Sequence, residues 1–291
     1  MELDDPAIPE FASWRSYADF ADRVRHGNRY IWSDAIQAFL DTVIATITQR
    51  DQVLQAGRHF FRAQRGVVYE DHHDADGNWT GESIYGYLPD RMKPLPRRAK
   101  EGRANPAGIP VLYLGSTVET VVSEVRPWIG AEISVARGRL IRDLRTLDLS
   151  LGHGQSSFAG PVFAHIMGGT PLSAAEKKTA VWTDIDNAFS KPVTLSDDAA
   201  DYVPTQILAE LFRARGYDAI AYKSYFGEAE GYNIAVFDPS SVEIITCAPY
   251  RVETIKVQAV SIGEDWITPE PGASADDGED DEPDLAGADE A

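Results

Sequence analysis

Gly102-Arg-Ala-Asn-Pro-Ala-Gly-Ile-Pro-Val-Leu-Tyr-Leu-Gly-Ser-Thr-Val-Glu-Thr-Val-Val-Ser-Glu-Val-Arg126 divides into three pieces in order. Gly102 to Pro110 is a loop, because its two glycines, two prolines and Asn105 do not fit one regular element. Val111 to Leu114 is a short apolar run closed by Gly115, which suits a buried strand. A helix is expected next. Ser116 stands three residues before Glu119, the spacing of a capping box. Val118, Val121, Val122 and Val125 then share one helical face. Glu124 falls at the edge of that face. Spacing alone slightly favours an exposed helix flank there, and the other reading is a carboxylate that is paired or working.

Upstream, two helices are expected. One covers residues 13–26, capped by Ser13 and ended by Gly27, with Trp14, Tyr17, Ala21 and Val24 on one face. The second follows Ser33, with Ile36, Phe39, Leu40, Val43, Ile44 and Ile47 at helical spacing. Trp14 and Trp32 read as packing anchors. Residues 1–56 thus form a helical N-terminal region. His59 to Arg65, closed by Gly66, suits a strand that carries Arg62. Residues 70–101 read as a loop. Its Glu-Asp-His-His-Asp-Ala-Asp-Gly run, 70–77, lacks the spaced oxygen ligands of a calcium loop, so no metal site is expected. Arg91, Lys93, Arg97, Arg98 and Lys100 form a basic cluster that reads as surface charge or as help in holding phosphates.

Downstream, residues 137–148 suit one or two strands, and His153, between two glycines, suits a loop. Pro204 is placed as a first helical residue before Ile207, Leu208, Leu211 and Phe212, and Gly216 stops that helix. Two apolar runs within 216–227 and 231–239 flank a Gly-containing loop and read as a hairpin. Ser224 ends the first strand and Asn233 begins the second, so both side chains are expected at one mouth. They could also be mere strand ends. A strand is expected at 242–246 and another within 252–262.

Composition excludes several classes. The 291 residues carry a formal charge of −19. Twelve acidic residues and no basic one lie in 264–291, which leaves 34 acidic against 27 basic groups elsewhere. That tail is expected to be disordered, because it cannot bury enough apolar surface to offset ordering entropy. The body lacks the basic excess that favours direct nucleic-acid binding. One cysteine, Cys247, excludes a disulfide scaffold and a multi-cysteine metal site. No basic-then-apolar leader and no membrane-length apolar run is seen, so a soluble cytoplasmic protein is the expectation.

The Gly102-Arg103-x-Asn105-Pro106 loop, the Leu-Tyr-Leu strand and the late Glu124 resemble the RES domain family, named for its Arg, Glu and Ser. Arg62, Tyr113, Tyr202 to Gln206, Ser224, and Asn233 through Pro239 follow in the family's order, so the resemblance spans roughly Phe60 to Pro239. The family's Tyr-Arg-Ala-Arg segment appears as Phe61-Arg62-Ala63-Gln64-Arg65, a departure at its ends. The resemblance implies an α+β fold. Its core is ADP-ribosyltransferase-like, with twisted, mostly antiparallel sheets and flanking helices. Here a helical region over 1–56 would precede a catalytic domain over 57–263 and the tail over 264–291.

It also implies function. Family members are toxins of toxin–antitoxin pairs that destroy NAD+ by phosphorolysis or hydrolysis, and some transfer ADP-ribose to protein. NAD+ would be the substrate, inorganic phosphate a candidate co-substrate, and no prosthetic group is required. A cognate antitoxin would be the partner, and a homo-oligomer is compatible. Arg62, Glu124 and Ser224 would be catalytic. Arg62, Arg103, Tyr113, Ser224 and Asn233 would bind the dinucleotide. The residue types fit: arginine forks bind pyrophosphate, tyrosines stack on rings, and a carboxylate beside a ribose stabilises an oxocarbenium-like centre. Two alternatives stay open, mono-ADP-ribosylation of a protein and a non-catalytic nucleotide-binding regulator.

Overall fold

The computed structural model describes residues 9–191, 199–224, 231–256 and 259–263. The acidic tail, Pro192 and the turn of the 217–237 hairpin lie outside them. Residues through Ile255 form one compact unit and Lys256–Ala291 a second. The described residues of the second, 256 and 259–263, contain no regular element, and none of the described residues of 252–262 forms the strand expected there.

In chain order the elements are α1 (Ser16–His26), α2 (Asp34–Thr46), β1 (Asp51–Leu54), β2 (His59–Arg65), β3 (Val68–His73), β4 (Trp79–Tyr85), β5 (Leu112–Gly115), α3 (Val118–Glu124), β6 (Glu132–Leu140), β7 (Leu144–Leu149), α4 (Pro161–Gly168), α5 (Ala174–Ser190), α6 (Ala199–Ala214), β8 (Ala219–Lys223), β9 (Tyr232–Val236) and β10 (Val242–Arg251). Eight strands make one sheet in the order β1-β7-β8-β9-β5-β2-β6-β10. Only β7 and β8 pair in parallel, joined through the three helices α4, α5 and α6. All other neighbours are antiparallel. The chain is α+β, with a mostly antiparallel sheet and flanking helices, as the sequence implied.

Side-chain alternation sorts the strands into two faces. Leu147, Leu149, Ile220, Tyr222 and Ala235 join the buried faces of α1, α2, α5 and α6 in one core. Their sequence neighbours Leu144, Ala219, Ala221, Ile234 and Val236 face the other way. There they share a second core with Phe60, Leu140 and Val242 from the far end of the sheet. Both ends of the sheet thus contribute to one cluster, so the sheet curls until its halves face each other.

Several local expectations change. Helix α1 starts at Ser16, because Ser13 instead turns the preceding chain, accepting from Arg15 N at 3.1 Å. Asp51–Leu54, inside the stretch read as helical, is an edge strand paired with β7. Trp14 is half-buried against Phe158, but Trp32 is 41% exposed and anchors nothing in the core. The 70–101 loop contains the β3–β4 hairpin. Its turn is closed by Asp74, whose Oδ1 accepts from Asp76 N and Asn78 N. Every residue of β3 is exposed, so no apolar alternation announced the strand. Pro204 lies inside α6, not at its first position. Helix α5 opens on a complete capping box of Ser173 and Glu176, a signal present in the sequence.

Candidate active site

The site grows from one row across the sheet. The register sets Tyr222 beside Asn233, Asn233 beside Gly115, and Gly115 beside Phe61, the neighbour of Arg62. The β8–β9 pair therefore meets β5 and β2, both more than a hundred residues upstream, at one level. Gly115 is required there: a Cβ would lie 2.6 Å from Val121 Cγ1 and 3.1 Å from Thr120 Cγ2, so only glycine lets α3 seat against the strand.

Helix α3 begins differently from the expected capping box. Ser116 extends the β5–β9 ladder, its N donating to Tyr232 O at 2.9 Å and its Oγ accepting from Tyr232 N at 3.1 Å. Strand pairing thus occupies Ser116, and Thr117 caps the helix by accepting from Thr120 N at 3.1 Å. Glu119 is left exposed. The valine face is as expected: Val121 is buried, and Val118, Val122 and Val125 pack with Phe61 and Ala63.

That packing directs Glu124, the last residue of α3, into a cleft of 410 Å³. Arg62, Arg103, Tyr113, Tyr202, Tyr222 and Asn233 line it too. Glu124 Oε1 accepts from Ser224 Oγ at 2.7 Å and from Asn233 Nδ2 at 2.6 Å. The two hairpin residues therefore do face one mouth, and the carboxylate is paired rather than a solvated flank. No described residue donates to Oε2, the other oxygen.

Among the described residues Arg62 is held by one hydrogen bond, Nη1 donating to Tyr113 O at 3.2 Å. Its Nε is enclosed and meets no acceptor among the described residues. Burial lowers its pKa from the usual arginine value, yet an arginine starts so high that it stays charged. An enclosed cation with an unused donor favours an anion.

The Gly102–Pro106 loop is tied as a knot. Asn105 Nδ2 donates to the carbonyls of Lys100, Pro106 and Ile109 at 2.8–3.0 Å. Tyr113 OH donates to Asn105 Oδ1 at 2.7 Å and accepts from Ala104 N at 2.9 Å. The Tyr113 hydroxyl is thus committed to the loop, and burial pushes its pKa well above the ordinary phenol. Only its ring is offered to the cleft. Gln206 Nε2, from α6, donates to Gly102 O and Asn105 O at 3.0 Å each. A Cβ on Gly102 would lie 2.6 Å from the Tyr113 hydroxyl, so the loop needs glycine there. The knot presents Arg103, whose guanidinium lies 5.8 Å from the centre of the Tyr222 ring. Burial pushes the Tyr222 phenol up to about 12, partly countered by Arg103.

All six residues singled out from the sequence therefore come together, five of them on the cleft wall and Ser224 through its bond to Glu124. Sequence reasoning missed Tyr222 and Arg126 as lining residues. Tyr222 lay inside an apolar run without a distinguishing signal. The basic cluster of residues 91–100 does not line the cleft. Instead Arg91 stacks 4.3 Å from the centre of the Tyr87 ring. Among the described residues no group of His, Cys, Asp and Glu could hold a metal ion, and no helix is long and apolar enough to cross a membrane.

A curated-protein search returns no match. A chain of the M. tuberculosis MbcT–MbcA toxin–antitoxin complex is similar at 13% identity over 70% of this chain and 90% of its own, with a TM-score of 0.35, too slight a likeness to place any residue. The RES domain family model matches residues 79–254. That span holds Arg103, Tyr113, Glu124, Ser224 and Asn233, while Arg62 lies upstream of it. The match covers more than half of the sequence, and the chain belongs to the RES domain family.

Proposed function

We propose that this chain cleaves the nicotinamide–ribose bond of NAD+. The observation that carries the reading is the Glu124 carboxylate, fixed through one oxygen by Ser224 and Asn233 in a cleft that also holds Arg62 and Arg103. NAD+ joins a doubly charged pyrophosphate to a ribose whose leaving group is already cationic. Arg62 and Arg103 supply the charge to hold that pyrophosphate, or an attacking phosphate. Glu124 faces the ribose and stabilises the positive charge that develops at C1′ as the C–N bond breaks. Nicotinamide departs neutral, taking the bonding electron pair, so the site needs no general acid. Ser224 and Asn233 keep the carboxylate oriented, and the Tyr113 and Tyr222 rings shape the wall.

Membership in the RES domain family supports this chemistry at the level of class. The acceptor is water or phosphate, and the biological role that follows is a toxin neutralised by a cognate antitoxin protein. The test is NAD+ loss by the purified chain with and without inorganic phosphate, products identified by mass spectrometry. ADP-ribose-1″-phosphate formed only with phosphate defines a phosphorylase, and ADP-ribose without it defines a glycohydrolase. NAD+ that persists in both buffers refutes the reading, and label transferred from NAD+ to protein replaces it with ADP-ribosylation.

A further inference from the structure

Arg65 stands one step away from the cleft and makes more bonds than an exposed arginine ordinarily does. Its Nε and Nη2 donate to Val125 O at 2.8 and 2.5 Å, and Nη2 also donates to Arg126 O at 3.1 Å. The guanidinium lies 5.6 Å from the centre of the Trp128 ring. These carbonyls belong to the end of α3, a helix of only seven residues. The last carbonyls of any helix lack intrahelical partners, and so short a helix has little stability of its own. The chain leaves α3 through Arg126 at φ 46°, a left-handed conformation that non-glycine residues adopt reluctantly. Neither a C-terminal glycine nor a lysine of the last turn closes this end. Arg65 does, from another element.

That element is β2, the strand that carries Arg62. Its position is fixed by an unbroken register with β6, from His59 opposite Arg139 to Arg65 opposite Ile133. One rigid strand therefore bears the enclosed cation of the cleft and the fork that grips the helix end. The gripped carbonyl of Val125 follows Glu124 directly. We propose that Arg65 is a positioning residue. It clamps the C-terminal end of the Glu124 helix to the Arg62 strand and so sets where the carboxylate stands relative to that cation. A fork is needed, because Nε and Nη2 meet the Val125 carbonyl together while Nη2 also reaches Arg126 O, and the single nitrogen of a lysine cannot reproduce the paired bonds to one oxygen.

The activity arm of the test rests on the NAD+ reading, and the structural arm does not. Wild type, R65Q and R65K are compared as full chains for NAD+ turnover and for hydrogen–deuterium exchange of the α3 amides. For R65Q, kcat is expected to fall about 30-fold with KM within about twofold, since a misplaced group costs the transition state more than the ground state. Exchange at Val121–Val125 is expected to rise about tenfold as the helix end frays. R65K is expected between the two in both readouts. Unchanged exchange together with unchanged kcat in R65Q overturns the inference. A raised KM at constant kcat overturns it too, because it places Arg65 on the substrate. Should R65Q not fold, wild-type values in R65K overturn the claim that the fork is needed. If wild-type protein leaves NAD+ intact, the NAD+ reading fails, while the exchange comparison still decides whether Arg65 holds the helix.

Discussion

On the proposed reading Glu124 is the residue on which the chemistry turns, and its surroundings state what its loss should do. It is half-buried at a helix end, so Glu124→Gln keeps volume and packing. The amide can still accept from Ser224 and Asn233. The expected outcome is an unchanged melting temperature with NAD+ turnover reduced by at least about 100-fold, the scale of removing a charge aimed at the transition state. A Gln variant with full activity would remove Glu124 from the mechanism. Ser224→Ala should cost less, about tenfold, because Asn233 still holds the same oxygen. Steady-state kinetics on the two variants would rank them, and the reverse order would show that Ser224 touches the substrate directly. The sequence placed Ser224 and Asn233 at one mouth. It could not show that both meet one oxygen of a residue about a hundred positions away, since that meeting is set by the pairing of β9 with β5.

At the scale of elements, the knot and the buried ion pair make separate demands. Gly102→Ala inserts a methyl group 2.6 Å from the Tyr113 hydroxyl. The loop must then release that hydroxyl or Asn105, and Arg103 moves with it. The expected result is a KM for NAD+ raised about tenfold or more with the sheet intact by circular dichroism. Normal kinetics would show that the knot does not set the position of Arg103.

The helices are locked to the sheet by Arg50. It meets Asp186 at 2.7 and 3.1 Å, donates to Asp148 O at 3.0 Å, and lies 4.3 Å from the centre of the Trp182 ring. Asp186 is fully buried, and Gly152 N donates to it at 2.7 Å. Arg50→Met strands that carboxylate and should destabilise the fold by about 3–5 kcal/mol in urea titrations, while a double Arg50→Met, Asp186→Leu change should recover most of it. Burial raises the Asp186 pKa from 3.8 to about 6, against the pull of Arg50. A folded-state pKa above the unfolded one means that the native state binds the extra proton between those values. The contribution of Asp186 is then fully present below about pH 4 and declines as pH rises through about 6. Relative to Asp186→Asn, wild-type stability should therefore fall across that window. A flat difference would show that Arg50 and Gly152 keep the group ionised throughout.

Across the whole molecule, legibility followed the reach of the signals. Helix α2 and the β8–β9 pairing were readable because apolar spacing and flanking glycines act locally. The β3–β4 hairpin was not, since both of its faces meet solvent and leave no alternation. The capping box at Ser116 failed because strand β9 competes for the same side chain. The α+β class and the cleft residues were legible through the order of short motifs, whereas Tyr222, Arg126 and the Arg65 fork depend on which strands become neighbours. Truncation after Gly263 would bring the formal charge from −19 to −7. It is expected to leave NAD+ turnover unchanged, since none of the cleft residues lies beyond Asn233, and altered kinetics would assign the tail a role at the cationic cleft.

The strand order has a bearing on synthesis. Strand β9 is inserted between β8 and β5, although it is among the last strands in the chain. Arg62 on β2 cannot meet Asn233 until nearly all of the chain has been made. Pairings of such long sequence separation form late and slowly. A nascent chain of two hundred residues already carries β2, β5 and α3, which set Arg62 beside the Glu124 helix, but it lacks Ser224 and Asn233, whose bonds fix the carboxylate. On the proposed reading, NAD+ cleavage would begin only once β9 closes the sheet, late in synthesis.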